Sequence, residues 1–124
     1  MKWILRLNGI LEALAGLVLL IKPEVLLMAE KSEAETLILA KLYGILAFFF
    51  GIISLVLATG VEYSLMMRRI VLAIIAFHFC VGLYMHGVFV QHITPHPGAA
   101  ILHIGLAVVF LAMYMKEKSK FEAV

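Results

Sequence analysis

Residues 36–59 read TLILAKLYGILAFFFGIISLVLAT, and this stretch decides the fold. It carries a single charge, Lys41, near its start. A helix rises ~1.5 Å per residue and the hydrocarbon core of a bilayer is ~30 Å thick, so about 20 apolar residues cross it. The stretch is long enough. Its small residues, Gly44, Ala47, Gly51, Ser54 and Ala58, recur at spacings of three and four, which puts them on one helical face. In lipid no hydrophobic drive pushes helices together, so they associate where small side chains let backbones approach. Residues 36–59 therefore read as a membrane span with one packing face.

Three further runs qualify on the same grounds: roughly 3–21, 70–91 and 98–115. The chain is 65% hydrophobic and 15% charged, against about half and a quarter in soluble domains. The four spans use up most of its 124 residues, so no soluble domain remains and the core is the bundle itself. The expected architecture is all-α: a single domain over 1–124, an integral membrane antiparallel four-helix bundle with short loops. Gly9, Glu12 and Gly16 give the first run a packing stripe, and Gly98, Gly105 and Ala112 give the last run one. Seven-residue spacing implies a left-handed bundle. The first run begins like a signal peptide, with Lys2 and an Ala13-Leu14-Ala15 site, but Arg6, Asn8 and Glu12 interrupt its core; it reads as a retained helix.

The net charge of +2 is small and the basic residues flank the apolar runs, a pattern of membrane ends and not of a nucleic-acid surface. Cys80 is the one cysteine, so no intramolecular disulfide forms and paired-cysteine thiol oxidation is excluded. Lys2, Arg6, Arg68, Arg69, Lys116, Lys118 and Lys120 fall on one side of the membrane, and Lys22, Lys31 and Lys41 on the other. That bias places both termini in the cytoplasm of a bacterial-type inner (plasma) membrane. The loops KPEVLLMAEKSEAE (22–35) and HITPHP (92–97) then face outward. In the first, Val25, Leu26, Leu27 and Met28 suit a short interfacial helix, and Ser32 with Glu35 reads as a capping box for the second span.

The polar residues within the spans carry the functional reading. Glu12 lies near the middle of the first run, where an ionised carboxylate costs at least ~2–3 kcal/mol. Asn8, Gly9 and Gly16 share its face, so it points at other helices. His78 lies close to the midplane; by a rise of ~1.5 Å per residue, His103 is roughly 5 Å and His86 roughly 9 Å toward the outside. His78 and His103 are expected on adjacent helices, approaching each other or Glu12. His78, Gly82 and His86 form one stripe, with Gly82 leaving room for a ligand or water, and Tyr43 is close in depth. Two imidazoles and a carboxylate suit a transition metal (zinc, iron or copper), and imidazoles also relay protons. Haem between His78 and His103 is a further arrangement. His92 and His96, with Met85 and His86 near, are candidate metal ligands at the outer mouth.

Ala73, Ala76 and Cys80 lie opposite His78, and Gly98 and Gly105 opposite His103. With two contact faces on each of these helices, a homodimer is expected. There is also an internal echo: RLNGILEALAGLVLL (6–20) aligns with KLYGILAFFFGIISL (41–55). Consecutive spans run in opposite directions, so a duplication would be of the inverted type that recurs in transporters.

Arg6, Gly9, Gly16 and Pro23, echoed by Lys41, Gly44 and Gly51, resemble the pattern of the small bacterial four-helix membrane proteins of the DoxX-like group. The resemblance covers the first two spans and the layout, and implies no catalytic residue. Glu12 also gives the chain a likeness to the small multidrug resistance exporters, which exchange protons for cationic substrates at a first-helix carboxylate within an antiparallel dimer. The histidines and the strong charge bias depart from that pattern. Three functions are therefore expected in order: a buried Glu12–His78–His103 site for a metal ion or small polar ligand, reached from the outer face; a proton-coupled exporter using Glu12; and a structural subunit docking another membrane protein. No nucleophile–base–orienter set marks an enzyme.

Overall fold

The computed structural model describes residues 1–27, 34–60 and 62–122. Met28 and Ser32, and with them the end of the interfacial cluster and the Ser32–Glu35 capping box, lie outside the described residues. Among the described residues all regular structure is helical: α1 (Lys2–Ile21), α2 (Pro23–Leu27), α3 (Ala34–Thr59), α4 (Leu65–Val90) and α5 (Gly98–Glu122). Four of the five, α2 excepted, are long and apolar enough to cross a membrane. Pro23 opens α2, where its missing N–H costs nothing.

The start of α4 precedes the apolar run at residue 70 because Ser64 caps it. Ser64 is extended, and its Oγ accepts the Met67 N–H at 3.1 Å, satisfying a donor that the first turn leaves without a partner. Arg68 and Arg69 are thus inside the helix. At the other end the Ile93 N–H reaches the Val88 carbonyl at 3.1 Å and the His92 N–H reaches the Phe89 carbonyl at 2.9 Å. This is a Schellman ending, with His92 at φ 57° where glycine is usual. Pro97 precedes α5 and its carbonyl accepts the Ile101 N–H at 2.9 Å. α5 then runs on past residue 115 to Glu122.

The chain forms two compact units, Lys2–Gly60 and Val61–Val124 with Met1. In the first, α1 packs on α3 through backbone. A Cβ built on Gly16 would lie 2.4 Å from the Phe48 N, and one on Gly51 would lie 2.4 Å from the Ala13 N. Gly9 meets the Gly51 carbonyl, and Gly44 the Gly16 carbonyl. The buried face of α3 is Ala40, Gly44, Ala47, Gly51, Ser54 and Ala58, the expected stripe extended by one turn. Asn8 is wholly buried and donates through Nδ2 to Ser54 Oγ at 3.0 Å.

In the second unit α4 buries Met67, Val71, Ile74, His78 and Gly82. They face Ala100, His103, Leu106, Ala107, Phe110 and Tyr114 on α5. Here the structure corrects the expectation from the last run: Gly98, Gly105 and Ala112 are exposed, and a Cβ on either glycine would meet nothing within 4 Å. The buried face of α5 instead mixes Ala100 and Ala107 with the larger His103, Leu106, Phe110 and Tyr114. Ala73, Ala76 and Cys80 on α4 are exposed too. Around both units large apolar side chains face outward, Leu39, Leu46 and Val56 among them. Water would tolerate this poorly; a bilayer suits it.

Candidate functional site

Gly82 sets the site in the second unit. Its missing side chain admits Ile104, whose Cγ1 would stand 2.6 Å from a Cβ there. That close approach brings the adjacent His103 beside His78, one turn back along α4. The two rings meet at Nδ1···Nδ1 2.9 Å, the approach expected from their depth. His78 is fully buried and His103 nearly so. At this separation one Nδ1 carries a hydrogen and the other presents a lone pair, so two neutral rings must be opposite tautomers. One Nε2 is then an acceptor and the other a donor. Aromatic rings wall the pair: Phe110 stacks on His78 at 6.0 Å, and Phe77 presents its edge to His78 at 5.2 Å and to His103 at 6.2 Å.

The first unit holds its own polar face. Glu12 is 5% exposed, on the α1 face that carries Asn8, Gly9 and Gly16. Tyr43 on α3, half open to the surroundings, lies within electrostatic reach of its carboxylate. One turn from Glu12, the Asn8–Ser54 bond satisfies a second buried polar group. Among the described residues the imidazoles and carboxylate buried in the spans are thus Glu12 in the first unit and His78 and His103 in the second.

Several expected site residues take other parts. Gly82 leaves no room for a ligand, since Ile104 fills the space. His86, two turns beyond His78, is exposed. His92 ends α4 by its backbone, and His96 is exposed in the following loop. Among the described residues none of these three joins a group of three metal donors. Haem between His78 and His103 does not fit: two in-line metal–nitrogen bonds span about 4 Å, and the rings already touch at 2.9 Å.

A second polar cluster, which the sequence reading missed, sits where α4 begins and α5 ends. Glu117 accepts the Met1 ammonium at Oε1, 2.8 Å, and the Tyr63 hydroxyl at Oε2. Arg68 Nε donates to Tyr114 Oη at 3.0 Å. Lys120 Nζ stands 5.2 Å over the Tyr63 ring, whose edge meets Phe121. Burial, then the bond to the Glu117 carboxylate and its charge, push the Tyr63 phenol up to about 12. The signal was a lone glutamate among lysines, KEKSK, one helical turn from Tyr114 and Phe121.

Comparison with protein-family models, with curated proteins and with solved structures brought no match.

Proposed function

We propose that the chain is a multi-pass inner-membrane protein that binds a transition-metal ion through His78 and His103. The observation that carries this is the 2.9 Å approach of two buried Nδ1 atoms. With metal–nitrogen bonds of about 2.0–2.1 Å, that separation subtends about 90°. Tetrahedral zinc would need the rings to open to about 3.3 Å. A right angle is the one that octahedral or tetragonal iron and copper ask of neighbouring ligands. The test is elemental analysis and melting of detergent-purified protein with iron(II), copper(II) and zinc. Iron or copper should raise the melting temperature. The gain should vanish in His78→Ala and His103→Ala. Metal-free protein that no metal stabilises would exclude the metal reading and leave a small polar ligand as the occupant.

The finer architecture belongs to the same reading. Antiparallel packing of α1 on α3 is supported by the α3 residues met from Gly9 to Gly16, which fall from Leu55 to Phe48, and a left-handed crossing by the seven-residue spacing of the small residues. The layout is that of the DoxX-like group. The exposed small faces, Ala73, Ala76 and Cys80 on α4 and Gly98, Gly105 and Ala112 on α5, pair two copies in a homodimer or seat another membrane protein. Oxidative cross-linking of Cys80 to a second Cys80 supports the former.

A second reading rests on the buried Glu12 carboxylate beside Tyr43. There Glu12 exchanges protons for substrate, and Glu12→Gln abolishes proton-coupled flux in vesicles. Flux unchanged in that variant rules the exporter out.

A further inference from the structure

We propose that the end of the second unit where α4 begins and α5 finishes binds the phosphate head group of an anionic phospholipid, held by Arg68, Arg69, Lys116 and Lys120. Tyr114 fixes the place of Arg68, taking its Nε–H at 3.0 Å and leaving the rest of the guanidinium fork for a ligand. Lys120 is carried over Tyr63, and Lys116 lies one turn before it on the same face of α5. Glu117, on whose carboxylate the Lys120 charge acts, already has both oxygens engaged, one by the Met1 ammonium and one by Tyr63. Among the described residues none of the four cations is ion-paired with a carboxylate. Arg68 and Arg69 also sit in the first turns of α4, where the helix dipole disfavours cations. A bound anion would offset that cost.

The surroundings select a lipid over a free anion. Leu65, Met66 and Met115 stand beside the cations and are 53%, 72% and 61% exposed. Phosphate in water gains nothing from such a skirt. A phospholipid places its head on the arginines and its acyl chains along the skirt. Each basic residue at such a surface contributes a preference of about five-fold for anionic lipid.

The experiment places the full chain in nanodiscs of phosphatidylcholine alone or mixed with phosphatidylglycerol. Co-retained lipid is read by native mass spectrometry, and melting temperature is followed. A third arm adds inorganic phosphate to phosphatidylcholine discs. The variant is Arg69→Gln with Lys116→Gln, both exposed and outside the Tyr114 and Glu117 bonds. The charge-matched control is Lys22→Gln with Lys41→Gln, exposed in the first unit. Phosphatidylglycerol should be enriched on the wild type and raise its melting temperature. The variant should lose about twenty-five-fold of that preference, two charges at five-fold each, while the control keeps it. Equal retention of the two lipids overturns the proposal, as does a variant with wild-type preference or a control that falls equally. Stabilisation by inorganic phosphate matching that by phosphatidylglycerol overturns it in favour of a soluble anion.

Discussion

Where α1 meets α3 a single methyl group is too much. A Cβ on Gly16 would stand 2.4 Å from the Phe48 backbone nitrogen, and backbone cannot swing aside as a side-chain tip can. Gly16→Leu or Gly51→Leu should therefore cost about 1–3 kcal/mol or more, seen as a lowered melting temperature in detergent. Gly105→Leu, with nothing within 4 Å, should shift stability by no more than about 0.5 kcal/mol in the isolated protomer. The α3 stripe was legible in the sequence because five small residues hold one face over four turns. On α5 the same residue types misled. Spacing says that a helix can be approached closely, and only the partner decides whether it is. There the face with His103, Phe110 and Tyr114 found α4 instead. His92 is a different case, a residue whose role is set by its backbone. At φ 57° it occupies a position that glycine takes without strain. His92→Gly should be neutral or raise stability by up to about 1 kcal/mol in thermal melts. A clear loss would mean that the imidazole itself has a role.

At the scale of elements, α4 and α5 differ most from their apolar runs. Arg68 and Arg69 cut the hydrophobic signal short, so the start of α4 depended on recognising Ser64 as its cap. α5 continues because KEKSKFE is polar yet compatible with a helix, and because Phe121, 3% exposed, buries against Tyr63 and Tyr114. This makes Tyr63 the pin between the connecting segment and the end of α5, and it makes the pin sensitive to alkali. The folded state holds the phenol proton to about 12, against 10.0 for the ordinary group. Between those values the unfolded chain binds fewer protons than the folded one, so stability falls as pH rises. Below pH 10 the phenol adds no slope. Melting temperature followed from pH 9 to pH 12 should therefore drop more steeply in the wild type than in Tyr63→Phe. The lysines titrate in both proteins and cancel in the comparison. Parallel curves would show that the Tyr63–Glu117 bond does not hold the proton. His78 and His103 belong to this scale too: their depth told that they would meet, but that they meet through Nδ1 depends on Gly82 admitting Ile104. No count of residues carries that detail.

At the scale of the molecule, four helices long and apolar enough to span leave the segments after α1, α3 and α4 alternating between the two sides of a membrane. This much was legible from composition alone, because apolar runs of that length have no other burial in so short a chain. Which side is which rests on the basic residues. Arg68, Arg69, Lys116, Lys118 and Lys120 all belong to the end where α4 begins and α5 finishes, and Lys22 follows the far end of α1. Translocation of Lys and Arg is disfavoured, so the former end should stay in the cytoplasm. Cysteine labelling in intact cells tests this. In a Cys80→Ser background, Lys22→Cys and Ile93→Cys, both exposed, should react with a membrane-impermeant maleimide added from outside. Ser119→Cys, also exposed, should react only after the cells are opened. Protection of the first two with labelling of the third would reverse the orientation. Labelling of all three in intact cells would mean insertion in both directions, as in exporters that pair oppositely oriented copies, and would favour Glu12 as a proton carrier.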